Sequence, residues 1–272
     1  MDILLIGNTA REHALAWKQA ESRRTGTIYT TSPYAGVDTL ADYWDGTVAA
    51  WRHAHPGGLV LGENDGWIQK SDELSVSTGY RLLPCLTDSE TVLAFPPVEL
   101  IEQCAYCNGM TPQDAVQTIV DTLILPVVAR EALRGMCSFA ISAEDTPRLL
   151  GVRRGFGDWE AMAVLPLLRG ELAGLLEACE DGSLAQRSLM LNGLSTAVLP
   201  YLTAPGAALS GLSQIANSTG VFIGAAQKNN EQLYAADACP LYVCGRAPTT
   251  AAAESAAQAA LAIIREQSRG TA

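Results

Sequence analysis

Four charged side chains fall within eight positions of "LLGVRRGFGDWE" (149–160): Arg153, Arg154, Asp158 and Glu160. Arginine presents a planar fork that grips phosphate or carboxylate through two hydrogen bonds. A carboxylate a few residues on can orient an amine or take its proton. The spacing makes Arg153 and Arg154 candidate substrate-binding residues, and Asp158 and Glu160 candidate catalytic ones. A plain surface ion pair would use the same residue types. "LLIGNTAREHALAWK" (4–18) has the layout of an apolar strand, a tight turn and an amphipathic helix, which in many folds cradles a phosphate. Its turn holds one glycine, Gly7, where such loops carry two or three. Asn8, Thr9 and Arg11 are the candidate substrate contacts there. In "LVLGEND" (59–65), Glu63, Asn64 and Asp65 are further candidates, against the alternative of an Asx-type turn.

Other reactive side chains carry less. Cys104 and Cys107 form "CAYC", the spacing of a redox or zinc pair, but no second ligand pair at matching spacing accompanies them. The seven cysteines make no small disulfide scaffold and read as reduced thiols. His53 and His55 could chelate as His-x-His, yet their polar surroundings before a turn predict a solvated loop. His13, early in the first helix, reads as structural. No metal and no cofactor is expected from these spacings. A net charge of −11 argues against nucleic acid, whose binding is dominated by phosphate neutralisation. No apolar run approaches a membrane span. No basic region precedes "DILLIG", so a cytoplasmic protein without a signal peptide is expected. A small molecule is left as the expected partner.

The elements that must position these residues follow from periodicity. "DILLIG" (2–7) predicts a buried strand, and Ala10, Ala14 and Trp17 mark one face of a helix running to about residue 22. Strands at 26–33 and 59–62, with a helix over 45–54 between them, complete a small parallel unit. Its ligand crevice would lie at the carboxyl ends of the strands, beside Gly7–Ala10 and Gly62–Asp65. Alternation over 73–86 predicts a hairpin about Thr78-Gly79. A helix over 111–128 is capped by Thr111, with Pro112 at its first position. Two antiparallel strands fill 134–154, and a second helix spans 165–182. The remainder is rich in strands, one pair turning at Asn229-Asn230, before an alanine-rich helix over about 251–267 capped by Thr249 or Thr250.

The stretch "LLIGNTAREHALAWKQAES" resembles the amino terminus of the phosphoribosylamine–glycine ligase (glycinamide ribonucleotide synthetase) family, whose pattern is roughly IGxGGREHALAWK. Further similarities keep the family's order: "SPYAG" (32–36), "LVLGEND" (59–65), "YRLLPCLTDSE" (80–90), "FPPVELIEQC" (95–104), "LLGVRRGFGDWE" (149–160) and the segment 221–249. The resemblance implies an α/β fold. A small Rossmann-like, pre-ATP-grasp parallel sheet (1–70) would be followed by a reduced ATP-grasp-like α+β core (71–185). A C-terminal β-rich subdomain with its terminal helix (186–272) would complete the chain.

Departures from the pattern shape the expected function. Family members are longer, and the segments that carry the ATP-grasp lid and the lysine-bearing nucleotide site have no counterpart between Asp65 and Leu74. ATP-grasp chemistry needs Mg²⁺ on acidic and amide oxygens. The Glu and Asn of the family's EFN motif fall on Gly151 and Arg153, and the RFGD arginine falls on Gly155; Phe156, Gly157, Asp158 and Glu160 remain. The expectation is a small-molecule enzyme of specialised, natural-product metabolism with no ATP site of its own. It would act on an amine, amino-acid or ribosyl-phosphate-like substrate by acyl transfer, condensation or hydrolysis. The alternatives are a non-catalytic metabolite-binding or partner-stabilising protein, or a ligase whose ATP module comes from another chain. A homodimer or a partner enzyme is compatible with each.

Overall fold

A computed structural model describes residues 1–63, 65–76, 79–216 and 219–269. The chain opens with β1 (Ile3–Leu5), α1 (Ala10–Ala20), β2 (Ile28–Thr30), β3 (Asp42–Tyr43), α2 (Val48–Ala54) and β4 (Leu59–Leu61). The four strands form one parallel sheet in the order β3-β2-β1-β4. Ile3, Leu4 and Leu5 are wholly buried, as a central parallel strand with both faces covered requires. The two-residue strand β3 has no apolar pattern, which is why periodicity did not reveal it.

Next come β5 (Gly66–Lys70), α3 (Glu73–Val76), β6 (Tyr80–Asp88), β7 (Val92–Ala94), β8 (Val98–Ile101) and β9 (Cys104–Cys107). The hairpin expected over 73–86 is absent: Glu73–Val76 is helical, and Thr78 lies outside the described residues. β6 instead pairs along nine residues with β10 (Arg134–Ser142). Between them lie α4 (Gln113–Ile119) and α5 (Leu125–Glu131), where one helix was expected. Pro126 explains the division. It has no N–H to give the carbonyl four residues back, so the chain slips through a π turn over Val120–Ile124, with Leu125 N bonded to Val120 O. Thr111 does not cap α4; its hydroxyl donates to Asn108 O at 2.7 Å, and Pro112 holds the cap position.

β11 (Leu149–Arg154) returns along β10, as the pattern predicts. After it come α6 (Asp158–Val164), β12 (Leu168–Arg169), α7 (Leu172–Asp181) and β13 (Met190–Leu191). The helix expected over 165–182 begins only at Leu172, because Gly170 takes a left-handed φ of 92° just before it. The remaining elements are β14 (Ser195–Tyr201), β15 (Ala208–Leu209), β16 (Thr219–Ile223), β17 (Ala226–Asn229), β18 (Gln232–Ala235), β19 (Leu241–Ala247) and α8 (Thr250–Arg269). β17 and β18 turn where Asn230 adopts φ 52°. Thr249 Oγ1 accepts from Ala252 N at 3.3 Å at the start of α8.

Ten strands make one large sheet, in the order β16-β19-β14-β9-β8-β6-β10-β11-β5, with β7 beside β6. A single sheet thus joins segments on both sides of residues 70 and 185. Helix α6 is wedged between this sheet and α1, with Ala161–Val164 wholly buried. Its last carbonyls have no partner within the helix, and Thr196 Oγ1 on β14 donates to Ala163 O at 2.8 Å. Replacing Thr196 by Val keeps the shape and removes that donor. A loss of about 1–2 kcal/mol is expected in urea unfolding; stability equal to the parent would show that the carbonyl finds another partner.

Candidate functional site

Gly7, at φ 131°, sits in a region that favours glycine, and a Cβ there would stand 2.6 Å from Glu12 Cδ. The turn is therefore shaped around Glu12. Glu12 Oε2 accepts from Thr9 N at 2.9 Å, while the Thr9 hydroxyl accepts from the backbone of the first helical turn, a capping box. The first turn of α1 already holds a carboxylate of its own, on the N–H that a bound phosphate would need. The pair Thr9 and Glu12, three apart, was the signal for this in the sequence.

The single Thr9 hydroxyl hydrogen serves Asp158 Oδ1 at 2.7 Å or Glu12 Oε2 at 2.9 Å. Asp158 is the first residue of α6, so this contact joins the amino-terminal ends of two helices 149 residues apart in sequence. Arg11 is turned inward. Its guanidinium bonds Glu12 Oε1, Asp65 Oδ2 at 2.8 Å and the carbonyls of Phe156 and Ile6. Its donors are engaged by the protein itself. Burial lifts the Asp65 carboxyl above its ordinary pKa, against the pull of Arg11 and Arg153.

Beside Thr9 and Asp158 lies a cleft of about 860 Å³. The Asn8–Ala10 turn and the Pro33–Ala35 turn form one wall. The C-terminal segments 224–228 and 236–242 form the other, with Tyr242 at its edge. Tyr34 donates its hydroxyl to Thr9 O at 2.6 Å, and Lys228 bridges the mouth to Asp38 at 3.0 Å. Asp158 and Asp237 complete the charged lining, so three aspartates face one lysine. Cys239 also lines the cleft, but burial pushes its thiol up in pKa, away from a reactive thiolate. Tyr34, Asp38, Asp237, Cys239 and Tyr242 were not foreseen. No local pattern marks them, since they meet only through tertiary contact.

The other sequence candidates stand elsewhere. Glu63 pairs with Arg52 at a second cleft, of about 440 Å³, at the end of β4; Asn64 lies outside the described residues. Arg153 and Arg154 cannot grip one anion together, because neighbours on strand β11 leave on opposite faces. Arg153 stands opposite Ser138, and Arg154 opposite Cys137. Glu160 is buried beneath Gly157 and is not among the cleft-lining residues. Cys104 and Cys107, three apart on an extended strand, likewise point to opposite faces and cannot share a metal. His55 is no solvated loop residue: its ring stacks 4.8 Å from Trp51, and Nδ1 lies 2.8 Å from Asp2 Oδ2. Among the described residues no group of three or more His, Cys, Asp or Glu is arranged to hold a metal ion. Among them, too, no helix is long and apolar enough to cross a membrane.

No family model matches the chain, and no curated protein matches it in sequence. Solved structures do. Phosphoribosylamine–glycine ligase of Thermotoga maritima superposes with a TM-score of 0.70, over 98% of this chain and 97% of that one, at 12% identity. The phosphoribosylaminoimidazole carboxylase ATPase subunit of Aquifex aeolicus gives 0.60 over 97% and 100%, at 6% identity. The L-amino acid ligase of Bacillus licheniformis gives 0.59 over 96% and 97%, at 9% identity. A parallel sheet set against a large antiparallel one, arranged as in these enzymes, gives the chain the fold of the ATP-grasp ligases.

Proposed function

We propose that this chain is a small-molecule enzyme of ATP-grasp descent. It takes an amine or amino-acid substrate in the cleft beside Asp158 and makes or breaks a C–N bond there without an ATP site of its own. The observation that carries this reading is the charge of the cleft. Three aspartates against one lysine attract an ammonium group and repel a phosphate. The helix terminus that would otherwise hold a phosphate is occupied by Glu12. Held by Thr9, the Asp158 carboxylate can orient the amine and accept its proton. Nucleotide binding has little to draw on. The chain has three lysines: Lys18 is bonded to Glu21 and Leu168 O, Lys228 to Asp38, and Lys70 stands on the exposed strand β5.

Isothermal titration with glycine, ribose 5-phosphate and magnesium-bound ATP tests the reading. Heat of binding is expected with glycine alone. Asp158→Asn should weaken that binding about tenfold or more, with a melting temperature within about 2 °C of the parent. Binding of ribose 5-phosphate or ATP in place of the amine would overturn it. A second reading, ligand binding without turnover, is favoured by Arg11, whose guanidinium is turned to Glu12, Asp65 and two backbone carbonyls. Glycine binding with no product from any acyl donor would select it.

A further inference from the structure

Arg153, half-buried, and Glu160, buried, form an incomplete pair. Glu160 is 2% exposed, yet its Oε1 has no hydrogen-bond partner. The same holds for Arg153 Nε and for Ser138 Oγ, the residue directly across the β10–β11 ladder from Arg153. Arg153 Nη1 and Glu160 Oε2 lie 2.6 and 2.5 Å from the point where a Cβ on Gly157 would stand. They face each other across that glycine without closing an ion pair. Buried polar atoms are ordinarily satisfied, so three orphans this close together call for a physical account.

The resemblance implies a divalent cation at this end of β11, held by a carboxylate at residue 151 and an amide oxygen at residue 153. Neither can be supplied here. A Cβ on Gly151 would meet the Trp67 ring at 2.7 Å, so the space for a carboxylate side chain is filled by indole. Trp67 is also the cross-strand partner of Arg153. A hard cation entering would find a guanidinium and an aromatic ring where it needs oxygen ligands. We propose that the guanidinium of Arg153 has replaced the divalent cation of this fold, as a fixed internal positive charge set against Glu160 and Asp65 with no Mg²⁺ bound. The inference rests on the chain's ATP-grasp descent and not on the identity of its substrate.

Manganese(II) titration followed by electron paramagnetic resonance tests this, with the melting temperature in millimolar MgCl₂ or EDTA as a second measurement. The parent protein is expected to leave the aquo-ion signal unchanged and to melt at the same temperature in both solutions. Arg153→Glu, which sets a third carboxylate beside Glu160 and Asp65, should bind Mn²⁺ at least about tenfold more tightly than the parent. Should that variant not fold, Arg153→Gln carries the same expectation at smaller size. Stoichiometric Mn²⁺ binding by the parent overturns the proposal, as does a folded Arg153→Glu with no gain. Failure of the glycine titration would sink the substrate reading alone and leave the metal result standing.

Discussion

Replacing Arg11 by Met is expected to destabilise the protein by about 3–5 kcal/mol, the range for removing one partner of a buried ion pair. Arg11 is the cation between Glu12 and Asp65, whose side chains are 1% and 15% exposed. Without it, two carboxylates face each other beneath the turn with too little water to screen them. At this chain length the fall in melting temperature should be on the order of 10 °C. Protonation relieves uncompensated carboxylates, so the deficit should be smaller at pH 5 than at pH 8. Adding Asp65→Asn to Arg11→Met should recover part of the loss. A fall of only a degree or two, equal at both pH values, would mean that the network is solvated and that Arg11 is free for ligand. That result would return Arg11 to the binding residues.

Stability should also decline as pH falls from about 6.5 to about 4, and His13 is the reason. Its Nδ1 accepts a hydrogen bond from Ile223 N at 2.8 Å, and its ring stands edge-on to Phe222. Protonation would set one N–H against another, and burial leads in lowering the pKa from 6.5 to about 4. The unfolded chain takes up a proton through this window while the folded chain does not. Stability is therefore complete above the unfolded value and is lost as pH falls towards the folded one, by about 3 kcal/mol in all. His13→Asn keeps an acceptor for Ile223 N but cannot titrate. Urea unfolding of both proteins at pH 7, 5.5 and 4.5 isolates the effect from carboxylate titration common to the two. Parallel curves would show that His13 titrates alike in the folded and unfolded chains, and would overturn the prediction. The hydrogen bond at stake ties α1 to the last residue of β16.

Local elements were legible wherever one pattern governed them. The run at Ile3–Leu5 is apolar throughout because a central parallel strand is covered on both faces. The 134–154 hairpin and the Asn230 turn follow from alternation and from the tolerance of asparagine for left-handed backbone. Boundaries failed where one residue overruled a longer pattern, as Pro126 and Gly170 did. The "REHAL" run led to a fold that superposition on the Thermotoga maritima enzyme supports at only 12% identity.

What the sequence determined by itself, then, was the type of most elements and the α/β class of the fold, because hydrophobic period and turn chemistry act over a few residues. Tertiary structure alone decided which charges are free. It spent Arg11 on Asp65, 54 residues away, and sent Arg153 and Arg154 to opposite faces of one strand. It brought Thr9 to Asp158 across 149 residues and set the 236–242 segment opposite both. A side chain's charge is written in its residue type, but its availability depends on desolvation and on partners that only the folded chain brings within reach.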